Sequence, residues 1–339
     1  MNRSIAEVMA RHPGFTAEFF SVHDREGSVC GSGETPFHGF QGRLARFVLG
    51  ASRAFLGRQY DLLLVTHRNL FPLALFWKAV TGRPYALFGH GIEIWPRQTP
   101  LYRLALHAAD VVLTNSRFTR DRLCASNGIR PERTEVVGLC VGDPPDADPS
   151  PVSDAPLLLT VGRAAAGEAY KGQDTVIRAL PQILRSFSTV RYVVAGGGDD
   201  LQRLRSLAAE TGVDSSVDFL GLISEEDKDR LYRRATIFVM PSRAEGFGLV
   251  FLEAMGYRLP CVAGNRDASG EIVRDGINGF TVDPGDPDAI AAVIVRLLGD
   301  PSLRAAMGRA GRSIRDAEFS FDAFSQRLGA ALYRAVARA

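Results

Sequence analysis

The chain has 339 residues, 46% of them hydrophobic and 23% charged, and its formal net charge is only +2. That length is too great for one compact core and favours two domains, and the composition is globular, which excludes a disordered chain, a collagen and a coiled coil. The cysteines Cys30, Cys124, Cys140 and Cys261 include no Cys-x-x-Cys pair, so zinc ribbons, redox motifs and disulfide frameworks lack support and reduced thiols are expected.

The opening MNRSIAEVMARHPG reads as a helix without the apolar core of a signal peptide, and no run of 18 apolar residues follows. Neither secretion by that route nor a membrane span is expected. After the apolar run FTAEFFSV, the stretch from Gln41 to Arg130 holds 13 Lys/Arg against 4 Asp/Glu, and all six histidines precede Asp110. A solvated arginine-rich face accounts for this excess, and so does attraction to an anionic partner such as phospholipid headgroups or a pyrophosphate-linked substrate. Nucleic acid is not expected, because no recognised binding motif accompanies the charge. The runs YDLLLVTH, YALFGH, DVVLTNS and EVVGLC suit buried strands of a parallel sheet. His90 stands between Gly89 and Gly91 where the second of these strands ends. It can hold a substrate hydroxyl, assist proton transfer, or serve only structure. Glu93 and Trp95 follow in the same loop, and carboxylate and indole both suit carbohydrate, which makes them acceptor-side candidates.

Residues 143–156, DPPDADPSPVSDAP, hold five prolines and four aspartates and have little to bury, so they read as a linker. It separates an N-terminal domain, 1–142, from a C-terminal domain, 157–316. In the second domain PLLLTVG, RYVVAGGG, VDFLG, TIFVMPS and LPCVAG alternate with helical segments such as GQDTVIRALPQILRSF. Strand–helix alternation on both sides of a linker implies two doubly wound α/β domains, with ligands bound at the carboxyl ends of the strands. The last stretch, 317–339, is amphipathic, with Phe321, Phe324, Leu328, Leu332 and Val336 at helical spacing. It closes its own domain or packs back on the first.

Three constellations in the second domain carry chemistry. In VGRAAAGEAYKGQD, Arg163 and Lys171 flank a loop between strand and helix, a corner that suits a diphosphate, although strand ends also carry merely solvated cations. In VVAGGGDD the glycines 196–198 lack G-x-G-x-x-G spacing, so this is a tight turn lining a nucleotide pocket and a dehydrogenase is not supported. In AEGFGLVFLEAMG, Glu245 and Glu253 flank a Gly-Phe-Gly core. The glycines allow close backbone approach to a ligand, and Glu253 is expected about two turns into a helix on the face of Glu245. Two such carboxylates can accept sugar and ribose hydroxyls, or can be a helix-terminal acid and an exposed helical residue.

Taken in order, VGR…YKG.D, VVAGGGDD, FLG, PSRAEGFGLVFLEAMGYRLPCVAG and GEIVRDGINGFTVDP resemble the retaining glycosyltransferases of family 4, across nearly all of residues 85–330. The resemblance implies the GT-B fold, two Rossmann-like domains facing a cleft. It implies that Arg163 and Lys171 bind the donor diphosphate, and that Glu253 bonds the ribose. Glu245, with Gly246, Phe247, Gly248 and Leu249, would hold the donor sugar, which His90 would touch from the N-terminal domain. Gly162, Gly197, Gly221 and Leu222 would border the diphosphate and base. The implied reaction is metal-independent transfer of a hexose from a UDP- or GDP-sugar to a glycan or lipid-linked glycan in polysaccharide assembly, with no cofactor beyond the co-substrate. The implied setting is cytoplasmic, including peripheral attachment at the inner face of the plasma membrane. Members of the family open with a strand and a glycine-rich loop, whereas MNRSIAEVMARHPGFTAEFF matches the helix and strand after them. Those first elements are thus expected to be missing as written, with a start codon placed too late as the leading explanation. A nucleotide-sugar-binding pseudoenzyme or complex subunit, and a GT-B epimerase or phosphorylase, are the alternatives.

Overall fold

A computed structural model of the chain describes residues 2–11, 14–25, 36–57, 60–144 and 155–337. Residues 145–154 of the expected linker, and Cys30, lie outside the described residues. The chain forms two units: Met1–Cys140 with Phe321–Ala339, and Val141–Ser320.

The first unit runs α1 (Asn2–Arg11), β1 (Phe19–Ser21), β2 (Phe37–Gly39), α2 (Leu44–Gly57), β3 (Leu63–Val65), α3 (Phe71–Thr81), β4 (Tyr85–Gly89), α4 (Pro100–Ala108), β5 (Val111–Thr114), α5 (Arg117–Asn127) and β6 (Thr134–Val136). Strands β3, β4, β5 and β6 form a parallel sheet in chain order, and β1 and β2 form a separate parallel pair. The apolar runs predict a single sheet here. The second sheet arises because Phe37–Gly39, a Phe-His-Gly segment with no apolar run to announce it, pairs with β1. Every residue of β4 is buried, as expected of a parallel strand covered on both faces. Asp110 fixes its start: one carboxylate oxygen accepts the Tyr85 amide at 2.9 Å, and the same carboxylate takes the Lys78 ammonium from α3 at 2.9 Å. Helix α5 starts where the Ser116 hydroxyl accepts the Thr119 amide and stops at left-handed Gly128.

The second unit runs β7 (Leu157–Val161), α6 (Gln173–Ser186), β8 (Arg191–Ala195), α7 (Leu201–Glu210), β9 (Val217–Gly221), α8 (Glu225–Arg234), β10 (Ile237–Met240), α9 (Leu249–Gly256), β11 (Cys261–Gly264), α10 (Ser269–Ile272), β12 (Gly279–Val282), α11 (Pro287–Gly299) and α12 (Pro301–Glu318). Its sheet is parallel throughout, in the order β12-β11-β10-β7-β8-β9. Chain order runs outward from β7 in one direction, then restarts at β10 in the other. The carboxyl ends of β7 and β10 therefore flank a topological switch point, where doubly wound sheets leave a crevice for ligands. Val176, Ile177, Leu180 and Ile183 of α6 and Ile290, Ile294 and Leu297 of α11 are buried in the core beside the sheet. Each such side chain contributes about 1.5–3 kcal/mol on burial.

The chain leaves the second unit through α12 and ends in α13 (Phe321–Ala337), which packs on α1, β4 and β5 of the first unit. Its buried stripe is Phe324, Leu328, Ala331, Leu332 and Ala335. Val336, expected in that stripe, is 40% exposed, because the contact follows Ala335 one position earlier. Arg327 and Arg334 tie the helix to Val137 and Glu135. Before the crossing, Arg315 of α12 is 1% exposed and donates to the Gly142 carbonyl at 2.6 Å and to Asp143 at 2.9 Å. One buried guanidinium thus fixes the start of the expected linker to the second unit.

Candidate functional site

In the second unit the residues singled out above gather at the carboxyl ends of adjacent strands. Gly162 and Arg163 leave β7, and Lys171 stands just before α6. A Cβ on Gly162 would lie 3.3 Å from the Lys171 ammonium, so the glycine gives the lysine its path across the strand end. The two cations share one carboxylate: Glu168 accepts Lys171 at 2.6 Å through one oxygen and Arg163 through the other. Lys171 and Glu168 are largely buried, whereas the Arg163 side chain is 76% exposed.

After β8, Gly196 has φ +146°, and a Cβ there would lie 2.0 Å from the Gly162 carbonyl oxygen. A Cβ on Gly197 would meet Leu222 at 2.8 Å. The triple glycine thus lets the β8 corner lie against the β7 corner and against Leu222, which follows Gly221 at the end of β9 and is 88% exposed. An apolar side chain so exposed beside bare backbone is a surface on which a planar base can rest.

The loop after β10 carries Glu245, Gly246, Phe247 and Gly248, and α9 begins only at Leu249. Glu253 therefore lies about one turn into α9, not two, and Glu245 belongs to the loop rather than to the same helical face. Gly248 causes the late start: its φ of +98° is left-handed, and it precedes the first helical residue. Glu245 bends back to accept the Phe247 amide at 3.4 Å. Burial, joined by the neighbouring Asp267 charge, raises its carboxyl above the usual range against the pull of that amide. Burial and then Glu245 and Glu168 push the Tyr170 phenol up to about 12.

Two supports went unseen in the sequence. Asp267, 7% exposed, accepts the Ser242 hydroxyl and the Glu245 amide, both at 2.7 Å, and the Ser269 amide at 2.9 Å. It builds the loop that holds Glu245, and burial raises its own carboxyl. Tyr232 of α8, 1% exposed, donates its hydroxyl to Glu253 at 2.8 Å, while Lys228 reaches the other Glu253 oxygen at 3.3 Å. No local pattern announces either, since the bonds to Ser242, Glu245 and Glu253 each span more than 20 residues of chain.

His90, Glu93 and Trp95 lie in the first unit, in the loop after β4. His90 Nε2 donates to the Thr66 carbonyl at 2.9 Å, and burial lowers its pKa, which keeps the ring neutral. That tautomer leaves Nδ1 as an acceptor, buried and with no partner among the described residues. Glu93 accepts the His90 amide at 2.6 Å, which shapes the turn. Trp95 is 8% exposed and its indole N–H donates to Thr119 at 3.2 Å, so this ring packs inside the unit. Among the described residues no group of three or more His, Cys, Asp or Glu is arranged to hold a metal, and no helix is long and apolar enough to cross a membrane.

Two cations converging at a switch point, a carboxylate braced on a helix and a glycine-rich corner under an exposed leucine can together bind an anionic group, hydroxyls and a planar ring. Comparison with known proteins places the chain in a family. Residues 7–141 match the model of Glycosyltransferase Family 4, and residues 146–314 that of Glycosyl transferases group 1. The GDP-mannose-dependent alpha-(1-6)-phosphatidylinositol monomannoside mannosyltransferase of Mycolicibacterium smegmatis is 32% identical over 284 residues, 75% of this chain and 72% of that protein. The D-inositol 3-phosphate glycosyltransferase of Acidothermus cellulolyticus is 35% identical over 60% of this chain and 48% of its own. Among solved structures, sucrose-phosphate synthase from Thermosynechococcus elongatus superposes with a TM-score of 0.83 at 22% identity, covering 100% of this chain and 93% of that one. Anabaena HepE in complex with UDP and glucose gives 0.76 at 20%, covering 98% and 96%. At these identities the structures speak to the fold, which is GT-B with two Rossmann-like domains.

Proposed function

The chain belongs to the family 4 glycosyltransferases and is a nucleotide-sugar-dependent enzyme of GT-B type; from that premise we propose that it transfers a hexose from a GDP- or UDP-sugar to a glycan or lipid-linked glycan, with retention and without a metal. The relatives' names favour GDP-mannose as donor and a phosphatidylinositol-linked acceptor. The observation that carries the reading is the Arg163–Lys171 pair at the switch point. Breaking the anomeric bond leaves negative charge on the departing diphosphate, and two fixed cations stabilise it as a metal would. Glu253, braced by Tyr232 and Lys228, is proposed to take the ribose, and Gly197, Gly221 and Leu222 to border the base. Glu245 and the backbone of Gly246, Phe247, Gly248 and Leu249 are proposed to take the donor sugar. His90 offers a neutral ring acceptor for a sugar hydroxyl. No side chain is assigned as nucleophile; same-face attack, with the diphosphate taking the acceptor proton, would give retention.

Membrane association forms part of the proposal. Helix α2 buries Phe47, Ala51 and Phe55 and exposes Leu44, Val48, Leu49 and Leu56, with Arg43, Arg46 and Arg53 among them and no acid in the helix. Exposed leucines interleaved with arginines fit an anionic bilayer surface.

The test begins with thermal stabilisation by GDP, UDP and ADP, which identifies the base. Transfer from the matching sugar nucleotide is then assayed with EDTA present. Product with the donor's anomeric configuration, formed at an undiminished rate in EDTA, is expected. An inverted product or abolition by EDTA overturns the corresponding part. Co-sedimentation with phosphatidylglycerol vesicles, lost on Leu49→Glu, is expected for the membrane part.

A further inference from the structure

Glu168 is the one part of this cluster to which the donor reading gives no task. Its carboxylate holds Arg163 through one oxygen and Lys171 through the other. We propose that Glu168 is a built-in competitor of the donor diphosphate, occupying both cations in the donor-free protein and leaving them when the diphosphate enters. The inference rests on the reading of Arg163 and Lys171 as diphosphate ligands.

The geometry is that of a surrogate anion. A carboxylate with one oxygen on each of two cations presents the same two-point contact that a diphosphate bridging them would present. Its charge is smaller: one negative charge against two positive ones leaves the pair under-neutralised, whereas a diphosphate brings at least two. Exchange therefore favours a diphosphate over a group of single charge. The contact also has a means of opening. The segment carrying Glu168 is anchored on both sides, at Ala166, whose amide donates to Asp199 at 2.8 Å, and at Tyr170, whose carbonyl accepts the Arg243 amide at 2.8 Å. Glu168 between these anchors departs from helical geometry, with φ −120° and ψ 19°. Rotation of its side chain suffices to release the cations without moving the loop. Keeping the cations paired while the site is empty excludes weaker anions and keeps Lys171 from settling on Glu245, whose titration already registers its charge.

The test is calorimetric titration of the full chain with GDP, UDP and inorganic pyrophosphate, comparing wild type with Glu168→Gln, Glu168→Ala, Arg163→Gln and Lys171→Gln. Removing a competitor tightens binding, so Glu168→Gln and Glu168→Ala are expected to bind the recognised nucleotide about 5-fold more tightly. The two cation variants are expected to weaken it. If both Glu168 variants bind no more tightly while the cation variants weaken binding, Glu168 only props Lys171 and the proposal fails alone. If the cation variants leave all three affinities unchanged, the diphosphate reading itself fails and takes the proposal with it.

Discussion

Arg163 meets Glu168 with its side chain largely in solvent, whereas Lys171 meets it largely buried. A charge-assisted hydrogen bond is worth about 1.5–3 kcal/mol, so Arg163→Ala is expected to lower kcat/KM by about 10- to 150-fold. Wild-type transfer in that variant would end the assignment. Glu245 makes a prediction of another kind. Its folded pKa lies above its unfolded value, so the native protein keeps this proton while the unfolded chain loses it as pH rises through the carboxylate range. Stability falls across that window and stays lower at neutral pH. Glu245→Gln is thus expected to melt above wild type at pH 7.5, with the gap closing near pH 4, while transfer drops; melting curves at the two pH values check it. Of these residues the sequence singles out Arg163, Lys171, Glu245 and Glu253 by local pattern, with their expected roles supplied by the family resemblance. It conceals Asp267 and Tyr232, whose part in the site is a bond across 22 and 21 residues. A one-dimensional pattern registers neighbours within a turn or a loop, not contacts that exist only after the sheet has formed.

At the scale of elements, the turn into α9 is where backbone conformation decides the site. A Cβ on Gly248 would lie 2.6 Å from the ring of Phe251, which is fully buried, and the backbone there is left-handed. Gly248→Ala is expected to cost about 1–3 kcal/mol and to weaken nucleotide stabilisation, because α9 must start elsewhere. Unchanged melting and binding would refute this. The same turn shows why an E-x7-E pattern misleads about geometry. Eight positions suggest two turns of one helix, yet the first four are loop. By contrast β4, β7, β8, β10 and β11 are legible as runs of buried apolar residues, since a strand covered on both faces needs apolar side chains at every position. Strand β2 obeys no such rule: two of its three residues are only half-buried, and the third is glycine.

For the whole molecule, the first unit is made of two separated stretches of chain. Leu328 of α13 is fully buried within that unit. Leu328→Ala is expected to cost about 2–5 kcal/mol there. In calorimetric melting this loss should fall on the transition of the first unit, while the transition that the bound nucleotide raises keeps its temperature. An equal fall in both would contradict it. The return of the chain through α13 also sets an order in time. The second unit is continuous and can close as it leaves the ribosome, whereas the first unit, though made earlier, lacks part of its core until residues 321–337 emerge. At about 5–20 residues per second, those early strands wait roughly 10–40 s behind the intervening 180 residues, with apolar surface uncovered. Until α13 is made, the apolar surface of those strands stays open to whatever else in the cell covers such surface.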